Sequence, residues 1–322
     1  EMDMTTIGAA FVVVVVGGMG SIPGAFIAAL LIAEIKAVCI WLGVQEIAGV
    51  EVSFSKLTLV VEFLVMAAVL VWRPWGLMGK PQAAARHAGA PEQPLRSSSR
   101  QGRVAWLVLI LAMAVLPLLL DADNYATVLL TDMLIAALFA ASLHFILGPG
   151  GMHSFGHAAY FGLGAYGAAL AVRALDLPME AALLFGPLAA AAGALLYGWF
   201  CVRLSGVYLT MLTLAFAQIT WAIVFQWDGF TGGSNGLTGV WPSEWAADGS
   251  TFYWLALALC AGGIYLLRRM LFSPLGYALR AARDSALRAD AIGLDVRRIQ
   301  WTAFVIAAAF AGVAGAVFGF FP

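Results

Sequence analysis

The chain has 322 residues, of which 62% are hydrophobic and 11% charged, and its formal net charge is -1. Together with a mean hydropathy of +0.92, this composition excludes a soluble globular domain, in which about a quarter of the residues are charged. It gives no support to nucleic-acid binding, which needs a basic surface. We therefore predict an all-α fold, a polytopic helical bundle in a lipid bilayer.

Apolar runs define the membrane spans. A transmembrane helix needs about 20 apolar residues, and fewer where flanking side chains reach water. Thr5 to Val16 is too short alone and is either a truncated span or a re-entrant piece, so we predict about nine or ten transmembrane segments. The other nine are Gly24 to Leu42, Ser55 to Trp72, Val104 to Leu120, Ala126 to Leu147, His157 to Val172, Ala181 to Val202, Val207 to Gln226, Phe252 to Leu267 and Trp301 to Phe320.

Basic residues orient these spans, because positively charged loops stay on the cytoplasmic side. If the segment after Trp72 is cytoplasmic, alternating the spans puts all but three of the 17 basic residues on that side. The three exceptions are Lys36, Lys56 and Arg173. The arginine-rich loop at 268–300 is therefore predicted to be cytoplasmic.

Residues 80–103, "KPQAAARHAGAPEQPLRSSSRQGR", are polar and rich in proline, serine and glycine. Such a stretch cannot bury enough apolar surface to fold. We predict a flexible cytoplasmic linker that divides the chain into a first block, 1–79, and a second block, 104–322.

Helix signals are legible in the arginine-rich loop. Ser273 followed by Pro274 is typical of a helix start. Asp284 is predicted to cap a second, short helix over Ser285 to Ile292, and Gly293 to end it in a left-handed conformation. Asp295 is predicted to cap the helix that enters the last span.

Two interpretations of this short helix stay open on the residues alone. Leu287, Ala291 and Ile292 can share one face, while Arg288 and Asp290 face water or a partner. In the first interpretation, the helix is a binding site for another protein. Alternatively, the loop is simply solvated, and its arginines enforce topology or contact anionic lipid.

The stretch "LGYALRAARDSALRADAIGLDV" resembles the cytoplasmic EAA loop of ABC-importer permeases, in the form found in the branched-chain amino acid (Liv-type) permeases. It departs from the common pattern by having Asp290 where glutamate is frequent. The resemblance implies that the short helix couples the permease to a separate ATPase. The implied coupling residues are Asp284, Ser285, Leu287, Arg288, Ala289, Asp290, Ala291, Ile292 and Gly293.

Other motifs extend the resemblance. "GMHSFGHAAYFGLGAYGAAL" and "LSGVYLTMLTLAFAQITWAIVFQWDGFTGGSNGLTGV" are similar to stretches of the M-type permease, so 104–322 is expected to be an M-type domain truncated at its C-terminus. "GGMGSIPGAFIAALLIAEI" and "VWRPWGLMGK" look like the end of the partner H-type permease, which assigns 1–79 to its C-terminal part. We expect the chain to be a fragment of a fused permease.

Glycine-rich breaks between spans suggest a substrate path. A helix that restarts near Phe155 would aim its N-terminal amides at an anion such as an amino acid carboxylate. An ordinary cytoplasmic turn is the alternative. The candidate residues are Gly150, Gly151, Ser154, Phe155, Gly156 and His157, with Gly18 and Ser21 as their parallel in the first block.

Several other features have plainer interpretations. The glycines at 162, 164, 167, 315 and 319 favour close helix packing. Lys36 and Glu34 lie inside a span, where charge is costly unless it is paired or reaches water. His144, His153 and His157 invite an intramembrane enzyme, but no HExxH motif or nearby acid completes a metal site. We predict no metal, cofactor or catalytic residue.

The resemblance implies a permease component of an ATP-driven importer in the bacterial inner membrane, carrying branched-chain amino acids or, alternatively, urea or short amides. Its implied partners are ABC ATPase subunits, a second permease subunit or domain and a periplasmic substrate-binding protein. The outer loop "WDGFTGGSNGLTGVWP" either contacts that protein or lines the membrane interface. No P-loop is present to bind ATP. A passive channel or an intramembrane enzyme remains the rival of another class.

Overall fold

The computed structural model describes residues 2–47, 50–54, 58, 60–80, 99–119 and 125–321. The predicted linker therefore lies largely outside the described residues, since 81–98 are not among them. Lys56, Arg86, Arg96 and the carboxylates at 121 and 123 are also outside them.

The described residues are mostly α-helical, as predicted. In chain order the helices are α1 Met2–Gly17, α2 Ile22–Leu42, α3 Val61–Trp72, α4 Arg100–Leu119, α5 Tyr125–Leu147, α6 His157–Leu175, α7 Met179–Cys201, α8 Val207–Gln226, α9 Asp228–Thr231, α10 Gly249–Leu271, α11 Pro274–Asp284, α12 Ala286–Ala291 and α13 Val296–Gly319. Two single 3-10 turns, Gly233–Asn235 and Glu244–Ala246, lie between α9 and α10.

Eight of the described helices are long and apolar enough to cross a membrane: α2, α4, α5, α6, α7, α8, α10 and α13. Two shorter apolar helices, Gly8–Gly17 and Val61–Trp72, fall where the sequence predicts a short span and a full one. The predicted polytopic helical bundle is confirmed. The chain is thus a multi-pass membrane protein.

One element differs from the prediction. Strands β1 Val44–Ile47 and β2 Val50–Ser53 form an antiparallel hairpin in which Val44 pairs with Ser53. The alternation of valine with polar residues in β2 suits a two-stranded ribbon, but a run of four residues is too short to stand out in sequence.

The described residues divide into two compact units. The first comprises residues 1–86, 153–159 and 200–236. In it α1 packs against α2 and α3, and α3 packs against α8. The C-terminal end of α1 is closed by backbone bonds, because the amides of Leu77 and Met78 donate to the carbonyls of Val16 and Gly17 at 2.8 and 3.0 Å. These bonds satisfy carbonyls that a helix end leaves without partners.

The second unit comprises residues 87–152, 160–199 and 237–322. Here α5 packs against both α10 and α13, and α4 packs against α10. Its fully buried side chains include Leu138, Phe145, Tyr253 and Phe304. The division predicted near residues 79 and 104 stays a prediction.

Glycines bring three helices of the second unit into backbone contact. A Cβ on Gly164 of α6 would lie 2.3 Å from the carbonyl oxygen of Gly312 in α13, and one on Gly186 of α7 would lie 2.5 Å from Cβ of Ala316. Gly315 is as tightly placed against the carbonyl of Phe161. The predicted packing role is confirmed at Gly164 and Gly315, but around Gly162 a Cβ would meet nothing within 4 Å.

Candidate functional site

The short helix α12 is defined by caps at both ends. The Ser285 hydroxyl accepts a hydrogen bond from the Arg288 amide at 3.4 Å. At the other end Gly293 has φ +88°, its amide donates to Asp290 O, and the Leu294 amide donates to Ala289 O at 3.0 Å. This pair of bonds is the Schellman arrangement.

The predicted N-cap of α12 is off by one residue. Asp284 is the last residue of α11, and Ser285 is the cap. The reason is electrostatic, since the Asp284 carboxylate accepts from the guanidinium of Arg283 and the serine hydroxyl is left to take the amide. The predicted caps at Ser273, Asp295 and Gly293 are confirmed.

Helix α12 buries one small residue and exposes larger ones. Ala289 is 2% exposed, whereas Leu287 is 85% and Ile292 74% exposed. Arg288, Asp290 and Ala291 are exposed as well. The outer surface of α12 thus carries two exposed aliphatic side chains beside the charged Arg288 and Asp290.

Helix α11 connects α12 to the core of the second unit, to which both helices belong. Its buried face consists of Gly276, Leu279 and Ala282. A Cβ on Gly276 would lie 2.4 Å from the Leu271 carbonyl oxygen, so only glycine allows this approach to the end of α10. On the outer side, Arg280 stacks its guanidinium 4.4 Å from the ring centre of Tyr277.

The turn after α5 contacts the end of α11. Nη1 of Arg283 donates to the carbonyl of Gly148 at 2.8 Å. Gly151 has φ +63°, and a Cβ there would lie 2.6 Å from Cγ of Arg283. The structure thus brings one predicted substrate-path residue, Gly151, beside the predicted coupling loop, whereas Gly150 packs against the Ile146 carbonyl of α5.

The other candidate substrate-path residues of this break belong to the first unit. Helix α6 begins at His157 rather than near Phe155. The Phe155 amide donates to Oγ1 of Thr213 at 3.1 Å, and a Cβ on Gly156 would lie 2.0 Å from the Thr213 carbonyl oxygen. The segment therefore lies directly against the backbone of α8, because only glycine permits that approach.

Ser154 and His157 are both buried, at 5% and 2% exposure. The Ser154 hydroxyl has no hydrogen-bond partner among the residues that the structure describes. A buried polar group without a protein partner needs another one. This hydroxyl therefore marks the break as a candidate site for water or a polar ligand.

Gly18 and Ser21, the candidate substrate-path residues of the first block, have different surroundings. Ser21 caps α2, accepting from the Gly24 amide at 3.1 Å, and lines a cavity of about 390 Å³ with Met19, Pro23 and Met78. Gly18, with φ +103°, packs against the Gly79 backbone instead. Its role is to let two backbone segments meet.

Within the described ranges, no group of three or more His, Cys, Asp or Glu side chains is placed to hold a metal ion. Lys36 is paired with Glu62 at 2.8 Å. Pairing is therefore the way in which the charge of Lys36 is accommodated in its span.

Comparison with known proteins decides the family. The family model described as "Branched-chain amino acid transport system / permease component" matches residues 125–322. The chain belongs to this permease family. The match covers α5 to α13 and includes both the α11–α12 loop and the Gly150 to His157 break, while Gly18 and Ser21 lie outside it.

Two relatives of this permease chain are "High-affinity branched-chain amino acid transport system permease protein LivM" of Escherichia coli (strain K12) and of Salmonella typhimurium. The first is 31% identical over 241 residues, 66% of this chain and 56% of that protein. The second is 28% identical over 267 residues, 74% of this chain and 62% of that protein. The permease protein BraD of Pseudomonas aeruginosa is 40% identical over 73 residues, 23% of this chain and 20% of that protein.

The chain therefore spans about 56 to 62% of the length of the two LivM proteins. No solved structure matches it.

One contact residue of this permease loop is outside the predicted set. Arg283 links α11 to the turn after α5, and a signal for it exists in the sequence, because a basic residue in the last turn of a helix often serves a helix C-terminus. Which terminus it serves is set by tertiary structure. Sequence spacing between 148 and 283 carries no such information.

Proposed function

We propose that this chain is a transmembrane permease component of an ATP-driven importer of branched-chain amino acids in the bacterial inner membrane. Its membership of the permease family supports this function, as do the eight helices among the described residues that are long and apolar enough to cross a membrane. ATP is hydrolysed by a separate ABC ATPase subunit, in keeping with the lack of a P-loop in the sequence.

The observation that carries the proposal is the exposed helix α12. A six-residue helix has little intrinsic stability, yet this one is capped at both ends and presents Leu287 and Ile292 to the outside. Two caps and two exposed aliphatic side chains on so short a helix are explained if another protein binds it. The ATPase binds there, with Asp284, Ser285, Ala289, Asp290, Ala291 and Gly293 shaping the helix and Arg288 at its rim.

The docking experiment uses two substitutions on this surface. Leu287→Asp and Ile292→Asp each place a carboxylate where an aliphatic side chain would enter the ATPase. We expect either to weaken co-purification of the ATPase at least about tenfold, as at an interface hot spot. Ser205→Asp is the matched control, because it adds the same charge at an exposed position of the α7–α8 connection.

Retained ATPase binding in both α12 variants would contradict the docking role and favour a passive channel. An intramembrane enzyme is tested separately by replacing His153 and His157 with glutamine. Uptake that survives both replacements removes that rival, since no catalytic histidine would remain at this break.

The substrate passes the break between α5 and α6. The buried Ser154 hydroxyl and the N-terminal end of α6 at His157 lie at one place. The Phe155 amide holds the segment between them against α8 by donating to Thr213. A helix N-terminus favours a carboxylate by its free amides and its dipole. Gly150 and Gly151 form the turn before it. In the first block Ser21 acts similarly at the cavity that it lines, and Gly18 shapes that segment through its contact with the Gly79 backbone.

The remaining partners follow from this mechanism. A second permease subunit or domain completes the pathway, and a periplasmic substrate-binding protein delivers the cargo to the outer loop, where Trp227 and Trp241 are exposed. Isothermal titration of that binding protein with leucine, urea and acetamide identifies the cargo class. Binding of urea or acetamide without leucine would replace the amino acid assignment.

A further inference from the structure

Two arginines one turn apart attach α11 to the ends of two neighbouring spans. Arg280 donates from Nη2 to the carbonyl of Leu271, the last residue of α10, at 3.1 Å. Arg283 donates from Nη1 to the carbonyl of Gly148, directly after the end of α5, at 2.8 Å. Because α5 and α10 pack against each other, α11 is fastened across the ends of a packed helix pair.

The electrostatics of both contacts are favourable. The last carbonyls of a helix have no partner within it and carry the negative end of the helix dipole. A guanidinium is permanently charged and presents several donors in a rigid fork. Arg280 therefore binds the end of the preceding helix, nine residues away, whereas Arg283 binds a helix end 135 residues away in sequence.

The aliphatic part of Arg283 fits where a glycine leaves room. A Cβ on Gly151 would lie 2.6 Å from Cγ and 3.2 Å from Cδ of this arginine. The Arg283 side chain thus contacts the turn at two points, the Gly148 carbonyl and the Gly151 backbone. Its guanidinium binds the turn through a charged hydrogen bond, and its aliphatic part binds it through packing.

Asp284 orients the arginine from the other side. Its Oδ1 accepts from Nε and Nη2 of Arg283 at 3.0 and 2.9 Å, which leaves Nη1 aimed at Gly148. Asp284 directly precedes Ser285, the cap of α12. A continuous set of contacts therefore runs from α12 through Asp284 and Arg283 to the turn after α5.

We propose that Arg283 is the positioning residue that transmits movement of α12 to the Gly148–Gly151 turn. This inference rests on the proposed function, since it assumes that an ATPase moves α12. Displacement of α12 pulls the guanidinium, and the turn follows because its carbonyl and its glycine surface are both held. Along the chain, this turn is followed by Ser154 and His157, two of the candidate substrate-path residues.

The test uses the full permease reconstituted in proteoliposomes with its ATPase, its partner permease and its leucine-loaded binding protein. Arg283→Gln removes the charge, and Arg283→Lys keeps the charge but loses the fork. Arg297→Gln, an exposed arginine at the start of α13, is the matched control. Leucine uptake, ATP hydrolysis and ATPase co-purification are measured for each.

We expect Arg283→Gln to lower leucine uptake per ATP hydrolysed about tenfold, the effect of losing one charged hydrogen bond. Arg283→Lys should lower it too, because an ammonium cannot bond the Gly148 carbonyl and the Asp284 carboxylate with the geometry of the fork. ATPase co-purification stays within about twofold, because the surface of Leu287 and Ile292 is intact. Arg297→Gln changes neither. A merely structural role for Arg283 would lower uptake and hydrolysis together and leave their ratio unchanged.

Gly151→Ala provides a second variant that leaves Arg283 itself in place. Its Cβ displaces the arginine stem, so it should also lower uptake per ATP, and combining it with Arg283→Gln should cost less than the two effects added. Unchanged uptake per ATP in Arg283→Gln and Arg283→Lys would overturn the inference. Absence of leucine uptake by the unsubstituted permease would instead contradict the proposed function.

Discussion

The hydroxyl of Tyr253 in α10 donates a hydrogen bond to the backbone carbonyl of Met113 in α4 at 2.9 Å. Met113 is four residues before Pro117, which lies inside α4 and has no amide to offer that carbonyl. In a bilayer an unsatisfied carbonyl is costly, and a neighbouring helix is one of the few sources of a donor. The tyrosine therefore compensates for the proline.

Replacing Tyr253 with phenylalanine should destabilise the second unit by about 0.6 kcal/mol, the average for hydrogen bonds between membrane helices, and by no more than about 1.7 kcal/mol, the maximum. The measurement is unfolding of the permease in detergent micelles. In a Pro117→Ala background the same replacement should cost less, because residue 117 regains an amide for the Met113 carbonyl. An equal cost in both backgrounds would mean that the tyrosine serves something other than this carbonyl.

Glycine-to-alanine replacements on α6 should have opposite effects two residues apart. At Gly164 the new methyl would lie 2.3 Å from the Gly312 carbonyl oxygen, so α6 and α13 must separate at a cost of about 1 to 3 kcal/mol. At Gly162 it meets nothing within 4 Å and should stabilise by up to about 1 kcal/mol through helix propensity. Thermal unfolding of the two variants, run side by side, checks both signs.

These glycines show which features of the fold can be predicted from the sequence and which cannot. Apolar runs predict the long helices because length and hydropathy are local properties of the chain, and Ser273, Asp295 and Gly293 reveal their roles through local capping chemistry. The difference between Gly162 and Gly164 is invisible, since it depends on which side of α6 meets α13. The contact of Arg283 with Gly148 is hidden for the same reason.

The caps of α12 should control how strongly it docks. Ser285→Ala removes the bond to the Arg288 amide and should cost the short helix about 1 kcal/mol. Gly293→Ala forces a side chain into φ +88° and should cost about as much. Hydrogen exchange of amides 286–291 should rise in both variants and ATPase affinity should fall.

Ser285→Thr is the control for the cap, because threonine keeps the accepting hydroxyl. Exchange in this variant should stay near that of the unsubstituted chain. If Ser285→Ala and Ser285→Thr raised exchange equally, the loss would come from the changed side-chain shape and not from the missing hydrogen bond.

Removing one partner of the ion pair between Lys36 of α2 and Glu62 of α3 should destabilise the first unit more than removing both partners. The two charges are 2.8 Å apart, and their side chains are 35% and 14% exposed. Lys36→Met alone leaves the more buried carboxylate without its cation, which should destabilise the first unit by about 1 to 3 kcal/mol, between the values for exposed and buried pairs. The double variant Lys36→Met, Glu62→Leu removes both charges and should recover most of that loss, because the desolvation cost disappears with them.

Unfolding of both variants, with Glu34→Gln as a control at an exposed carboxylate of the same helix, measures the difference. A double variant no more stable than the single one would mean that the carboxylate of Glu62 is stabilised by groups other than Lys36.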